Sequence, residues 1–246
     1  MAEKEYLLIE PAKFEKLLKM VSLPKAANPL IKTIEFDFDN KGLWVRQVDE
    51  AEVVAVLANF SPNYFLKYSI LPSFQISAKS VLPDLRKVMK PEKVVKIFLD
   101  EDRIVFKGEY VEYSVLRLDS VLNKIEADTV VEYSFGFCAT NLNPHKIFRL
   151  DISQLDLLKA EEITFEYGKT LTAMISMETK GYKRRLIHEA NSGEGSGRVT
   201  LYYDIVEKIV KNMSGLIYLV FTEEGAVLFS QKRGTFTTTY IVFPVI

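Results

Sequence analysis

The sequence predicts an α+β protein made of two similar domains. Three observations lead there: most apolar runs have a period of two, only four stretches have helical spacing, and the order of elements in residues 1–118 recurs in residues 129–246. With 246 residues, either half can bury a core that needs no covalent staple.

The first helical stretch runs from Pro11 to Val21. It places Phe14, Leu17, Leu18 and Val21 at i, i+3, i+4 and i+7, with Pro11 where a helix start tolerates it. Ile34-Glu-Phe-Asp-Phe38 alternates and runs into the polar turn Asp39-Asn-Lys-Gly42, a hairpin signal. The second helix is expected over Ser80 to Lys90, burying Leu82, Leu85, Val88 and Met89 and holding Pro83 in its first turn. Val94 to Leu99, Ile104 to Phe106 and Tyr113 to Leu118 read as strands, and Asp119 to Asp128, without a period, as the loop connecting the domains. In the second half Tyr133 to Ala139 and Ile163 to Tyr167 read as strands. The third helix is expected over Asn143 to Leu150, with Asn143 capping a start at Pro144. The fourth spans Leu201 to Met213, with Tyr202, Ile205, Val206, Ile209 and Met213 on one stripe. Asn191-Ser-Gly-Glu-Gly-Ser-Gly197 reads as a hairpin loop and not a phosphate cradle, since no Lys-Ser/Thr follows its glycines.

The 48% hydrophobic and 26% charged residues, with 11 Gly and 9 Pro, exclude disordered and low-complexity classes. Cys138 is the single cysteine, which excludes an internal disulfide framework and fits a reducing compartment. No apolar run approaches the roughly 20 residues of a membrane span, and Met1 precedes no apolar leader, so a cytoplasmic protein is expected.

Net charge is −1, from 32 Lys and Arg against 33 Asp and Glu, yet the charges sort by element. The expected helices carry Lys13, Lys16 and Lys19, then Lys79, Arg86, Lys87 and Lys90, then Lys146 and Arg149, then Lys208 and Lys211. Their acids are only Glu15, Asp84, Asp204 and Glu207. Lysine on one exposed helix is ordinary solubility chemistry. The same bias on four predicts a basic face that contacts phosphates, without the Arg, Asn and Gln combinations that read bases, and with salt-sensitive affinity.

Catalytic and metal-binding arrangements are missing from the sequence. His145 and His188 form no metal-ligand pair, and Cys138 reads as a core filler. Neither a P-loop nor a Gly-x-Ser-x-Gly motif occurs, and Asp37/Asp39, Asp100/Asp102 and Glu161/Glu162 sit beside turns. No catalytic residue, metal or cofactor is therefore expected.

Gly42-Leu-Trp-Val-Arg-Gln-Val-Asp-Glu-Ala-Glu-Val53, followed by Asn63-Tyr-Phe-Leu-Lys-Tyr68, resembles the first-domain signature of the DNA sliding clamps, the proliferating cell nuclear antigen family. The duplicated domains, Leu116-Arg-Leu-Asp119 before the linker, and the ending Tyr240-Ile-Val-Phe-Pro-Val-Ile246 extend the resemblance over the chain. It implies a clamp fold with basic helices lining the inner face and antiparallel sheets outside, in a trimeric ring around duplex DNA. Domains would span 1–118 and 129–246, joined by 119–128. The implied partners are double-stranded DNA without sequence preference, other clamp subunits, replicative polymerase, ligase, flap nuclease and a clamp loader, in an archaeal cytoplasm. DNA contacts would come from Lys13, Lys16, Lys19, Lys79, Lys87, Lys90, Lys146, Arg149, Lys208 and Lys211. Subunits would pair a strand carrying Tyr110, Glu112 and Tyr113 with one carrying Leu171, Ala173 and Ile175. Client peptides would enter a pocket of Val48, Val53, Leu118, Ile125, Phe243 and Pro244. Glu52, Phe243 and Val245 depart from the family pattern, as does Gly225-Ala-Val before the last hairpin, which points to a specialised subunit of a heteromeric clamp. The alternatives are a checkpoint-type homologue with altered clients, a phosphate-handling enzyme with an unrecognised site, and an interaction scaffold with merely solvated lysines.

Overall fold

The computed structural model describes residues 5–25, 28–118, 124–155, 160–176, 181–186 and 190–245. They form two compact units. The first comprises Met1–Asp49, Ala58–Lys124 and Arg233–Thr237; the second comprises Glu50–Leu57, Ile125–Lys232 and Thr238–Ile246.

In chain order the elements are β1 (Leu7–Ile9), α1 (Pro11–Ser22), β2 (Pro24–Lys25), β3 (Asn28–Pro29), β4 (Thr33–Asp39), β5 (Gly42–Val48), β6 (Val54–Phe60), β7 (Phe74–Ser77), α2 (Ala78–Val88), β8 (Val95–Asp100), β9 (Arg103–Lys107) and β10 (Glu112–Leu116). There follow β11 (Val130–Tyr133), β12 (Gly136–Ala139), β13 (Pro144–Asp151), β14 (Glu162–Tyr167), β15 (Leu171–Ser176), β16 (Gly181–Leu186), β17 (Ala190–Ser192), β18 (Gly197–Tyr202), α3 (Tyr203–Asn212), β19 (Leu216–Thr222), β20 (Val227–Arg233) and β21 (Phe236–Val242).

In the first unit a four-stranded antiparallel sheet runs β1-β8-β9-β10. Helix α1 buries Phe14, Leu17, Leu18 and Val21, the stripe its spacing predicts. Phe14 meets Phe106 of β9 with ring centroids 5.6 Å apart. Leu23 ends the helix in the left-handed region at φ 47°, where its N–H reaches the Lys19 carbonyl at 3.1 Å. A leucine holds that unfavourable conformation because its side chain is fully buried. Helix α2 begins two residues before the expected start, so Pro83 sits in the second turn, not the first.

In the second unit β16-β15-β14-β18 forms one antiparallel sheet, and β13, β19, β20 and β21 belong to another. Their aromatic side chains interlock: Phe165 of β14 contacts Phe221 and Phe229, and Tyr167 stacks on Phe221 at 4.1 Å. Helix α3 closes this core with Ile205, Val206 and Ile209, and Met213 after it. Tyr202, expected on the buried stripe, is instead the exposed residue before the helix, and Tyr203 is buried in its place.

The helix expected over Asn143 to Leu150 is strand β13. Its burial alternates, with Lys146, Phe148 and Leu150 inward, and it pairs with β19 from Pro144↔Thr222 to Asp151↔Leu216. Short apolar runs carry no decisive period, and two flanking strands that satisfy the backbone outweigh a local cap. The run Tyr133 to Ala139 is likewise divided, into the hairpin β11–β12. At its turn Gly136 has φ 148°, and a Cβ there would lie 2.0 Å from Ser230 Oγ. That hydroxyl donates to the Phe135 carbonyl at 2.7 Å and contacts Thr239 Oγ1 at 2.8 Å.

Candidate nucleic-acid and subunit interfaces

The lysines of the three described α-helices differ in what holds them. On α1, Lys13 pairs with Glu10 at 3.3 Å and Lys19 with Glu15 at 2.8 Å, while Lys16 lies exposed over the Phe236 ring at 5.7 Å. On α3 each lysine has an acid one turn back, Lys208 with Asp204 at 3.1 Å and Lys211 with Glu207 at 2.8 Å. The Glu207 hydrogen bond raises the Lys211 pKa. On and just after α2, Lys79, Lys87 and Lys90 are all exposed, and no ion pair among the described residues holds any of them. The local acid Asp84 is occupied by the Tyr113 hydroxyl at 3.1 Å. Among the described helix lysines, uncompensated positive charge is thus concentrated on α2 and Lys16, all in the first unit.

Two expected DNA contacts change character because their helix is a strand. Lys146 is buried, 7% exposed, and its Nζ donates to the Gly193 carbonyl at 2.9 Å. It ties the glycine loop to β13 and offers no charge to a ligand. Arg149, on the same strand, remains exposed. The carbonyl and ring of neighbouring His145 crowd that loop as well: Cβ atoms on Gly193 and Gly195 would fall 2.0 and 2.5 Å from His145 atoms. His145 therefore packs at a strand start, not at a helix start, and His188 lies outside the described residues.

Among the described residues strand β10 pairs only with β9 and forms an edge of its sheet; Tyr110 before it is 75% exposed. Glu112 pairs with Lys107 at 2.8 Å, and Tyr113 packs on Phe106 at 6.0 Å. The second expected joining strand is corrected. β15 is interior, paired to β14 and β16, and Leu171, Ala173 and Ile175 are core residues. The edge is β16. Its Lys183-Arg184-Arg185 run, charge set into a strand, was the available signal.

No family model and no curated protein sequence matches the chain. Solved structures do. A. fulgidus PCNA, in a structure with the C-terminal region of FEN-1 bound, aligns with TM-score 0.77 at 16% identity over 98% of each chain. Proliferating cellular nuclear antigen from Entamoeba histolytica aligns with TM-score 0.76 at 12% identity over 98% of each chain. The PCNA2–PCNA3 complex of Sulfolobus tokodaii gives 0.72 at 14% identity, covering 98% of this chain and 99% of the other. The chain has the fold of these sliding clamps. At such identities the likeness carries the fold alone, and what the molecule does rests on its side chains.

Against that clamp fold, the six expected pocket residues are all partly exposed. Val48 and Leu118 belong to the first unit, and Val53, Ile125, Phe243 and Pro244 to the second. In the second unit the Phe243 N–H donates to the Val53 carbonyl at 3.0 Å, and the Val245 N–H to the Thr200 carbonyl at 3.0 Å, so the tail is held by backbone bonds on both sides of Pro244. Leu118 N–H reaches the Gln75 carbonyl at 3.3 Å. Of the connecting loop, residues 119–123 lie outside the described set, while Ala127–Thr129 makes a 3-10 turn.

Burial, with Glu224 nearby, pushes the Cys138 thiol up to about 12, so it stays protonated and inert at neutral pH. Among the described residues no cluster of three or more His, Cys, Asp or Glu is placed to hold a metal, and no helix is long and apolar enough to cross a membrane.

Proposed function

We propose that this chain is a subunit of a DNA sliding clamp. It joins other clamp subunits in a trimeric ring around duplex DNA and tethers polymerase, ligase and flap nuclease after loading by a clamp loader, acting as a platform and not as an enzyme. The observation that carries the reading is the clamp fold over 98% of the chain together with exposed lysines on α2 that no described carboxylate neutralises. Lysine suits a sliding contact because it attracts phosphates as a point charge and imposes no base sequence. The domains are 1–118 and 129–246 with 119–128 between them, and client peptides bind beside the C-terminal tail at Val53, Phe243 and Pro244 of the second unit. Subunits join through the β10 edge of one chain and the β16 edge of the next. The first edge is acidic in sequence, with Glu109 and Glu112, and the second basic, with its Lys-Arg-Arg run, and their pairing covers two exposed edges.

The test is retention on DNA. The purified chain, alone and mixed with other clamp chains of its cell, is weighed in solution and loaded on nicked circular DNA. A ring stays on the circle and runs off when the circle is linearised. Loss from circle and linear DNA alike overturns the proposal. Phe243, bulky in the tail, favours a specialised subunit whose ring forms only in the mixture.

A further inference from the structure

The β9–β10 turn is held from outside the hairpin. Glu92, in the loop between α2 and β8, is 7% exposed, and its carboxylate accepts three consecutive backbone N–H groups. Oε2 takes Glu109 at 2.7 Å, and Oε1 takes both Tyr110 and Val111 at 2.9 Å. The hairpin closes on itself through Gly108 N–H to the Val111 carbonyl at 2.8 Å. The fit leaves no room for another side chain: a Cβ on Gly108 would lie 2.1 Å from Glu92 Cδ and 2.4 Å from Oε2. Three successive amides converging on one anion is the arrangement by which proteins bind phosphate or carboxylate ligands; here the protein supplies the anion itself.

This turn immediately precedes the edge strand β10 and presents Tyr110, the most exposed of the large hydrophobic side chains described. A free two-stranded end frays, and every residue that frays must be ordered again when a partner strand adds to the edge. We infer that Glu92 is a positioning residue for subunit joining: it fixes the turn 108–111 so that the β10 edge and Tyr110 are ordered before a partner arrives. The inference rests on the clamp reading above.

The test uses the full chain in three variants. In Glu92→Gln, Oε1 still accepts from Tyr110 and Val111, but an amide NH2 faces the Glu109 N–H, so hydrogen exchange rises at Glu109 alone. In Glu92→Ala it rises at all three amides, by about tenfold or more. Gly108→Ala keeps every charge and displaces the carboxylate sterically, with the same result as Glu92→Ala. Association, measured by mass against concentration well below the melting temperature, weakens in the order Gln, then Ala. Tenfold weakening in Glu92→Ala and Gly108→Ala, with the rest of the exchange pattern unchanged, is the expected outcome. Unchanged exchange at 109–111 overturns the clasp. Faster exchange with undiminished association overturns the positioning role. A wild-type chain that stays monomeric alone and in every mixture overturns the clamp reading instead, which separates the two failures.

Discussion

Single residues carry most of what the spacing of the chain could not show. Lys146 has the side chain of a phosphate contact and the position of a core strut. Replacing it with Met keeps the volume and loses the bond to Gly193, so stability falls by about 1 kcal/mol in urea unfolding while retention on DNA is unchanged. Phe243 tests the pocket proposal. Phe243→Ala should strengthen binding of a generic clamp-binding peptide, and Val53→Asp should weaken it by placing a charge in an apolar site, both read by calorimetric titration. If neither changes affinity, the peptide site lies elsewhere. Three weak acids give a further expectation. Burial raises the Cys138 thiol from 9.0 to about 12, and the Tyr68 and Tyr113 phenols from 10.0 to about 12, so the folded chain keeps these protons while the unfolded chain releases them. The stability they contribute is whole below pH 9 and is lost as pH climbs toward 12, a fall that urea midpoints at about pH 8, 9.5 and 11 would trace. A midpoint that holds or rises across that range contradicts it.

At the level of elements, the helices that look alike in sequence separate by their acids. Asp204 and Glu207 each sit one turn before a lysine of α3, whereas α2 has a single acid, engaged with Tyr113. Reversing Lys79, Lys87 and Lys90 to Glu should therefore abolish loading onto circular DNA. Reversing Lys208 and Lys211 should cost far less there and instead destabilise α3, because each new Glu faces an acid at i−4. Equal losses in the two variants would return the basic role to all helices. Strands were legible wherever alternation ran long, as in Ile34 to Phe38 and Ile163 to Tyr167, which are within β4 and β14. β13 was not, because the Asn143-Pro144 start resembles a helix cap and the partners that make it a strand, β17 and β19, come much later in the chain.

For the whole molecule, binding should obey counterion release. The logarithm of the affinity for duplex DNA should fall linearly with log salt, with a slope of about 0.9 for each phosphate neutralised, and each effective Lys→Glu change should lower that slope. A salt-independent affinity for short linear duplex, on which no ring is trapped, would show that contacts other than phosphate hold the chain.

By itself the sequence determined the α+β class, the stripe of α1 and most strands, because each of these is written in a local period of apolar residues. It also supplied the basic bias of the helices, since charge is a property of composition. Only the tertiary structure decided that Lys146 is a strut, that β15 is interior and β16 an edge, and that Glu92 holds a turn beginning at Gly108. Those outcomes depend on pairing between residues far apart in the chain, and a local pattern does not say which strand will be alongside, nor which amides will be left for a carboxylate to satisfy.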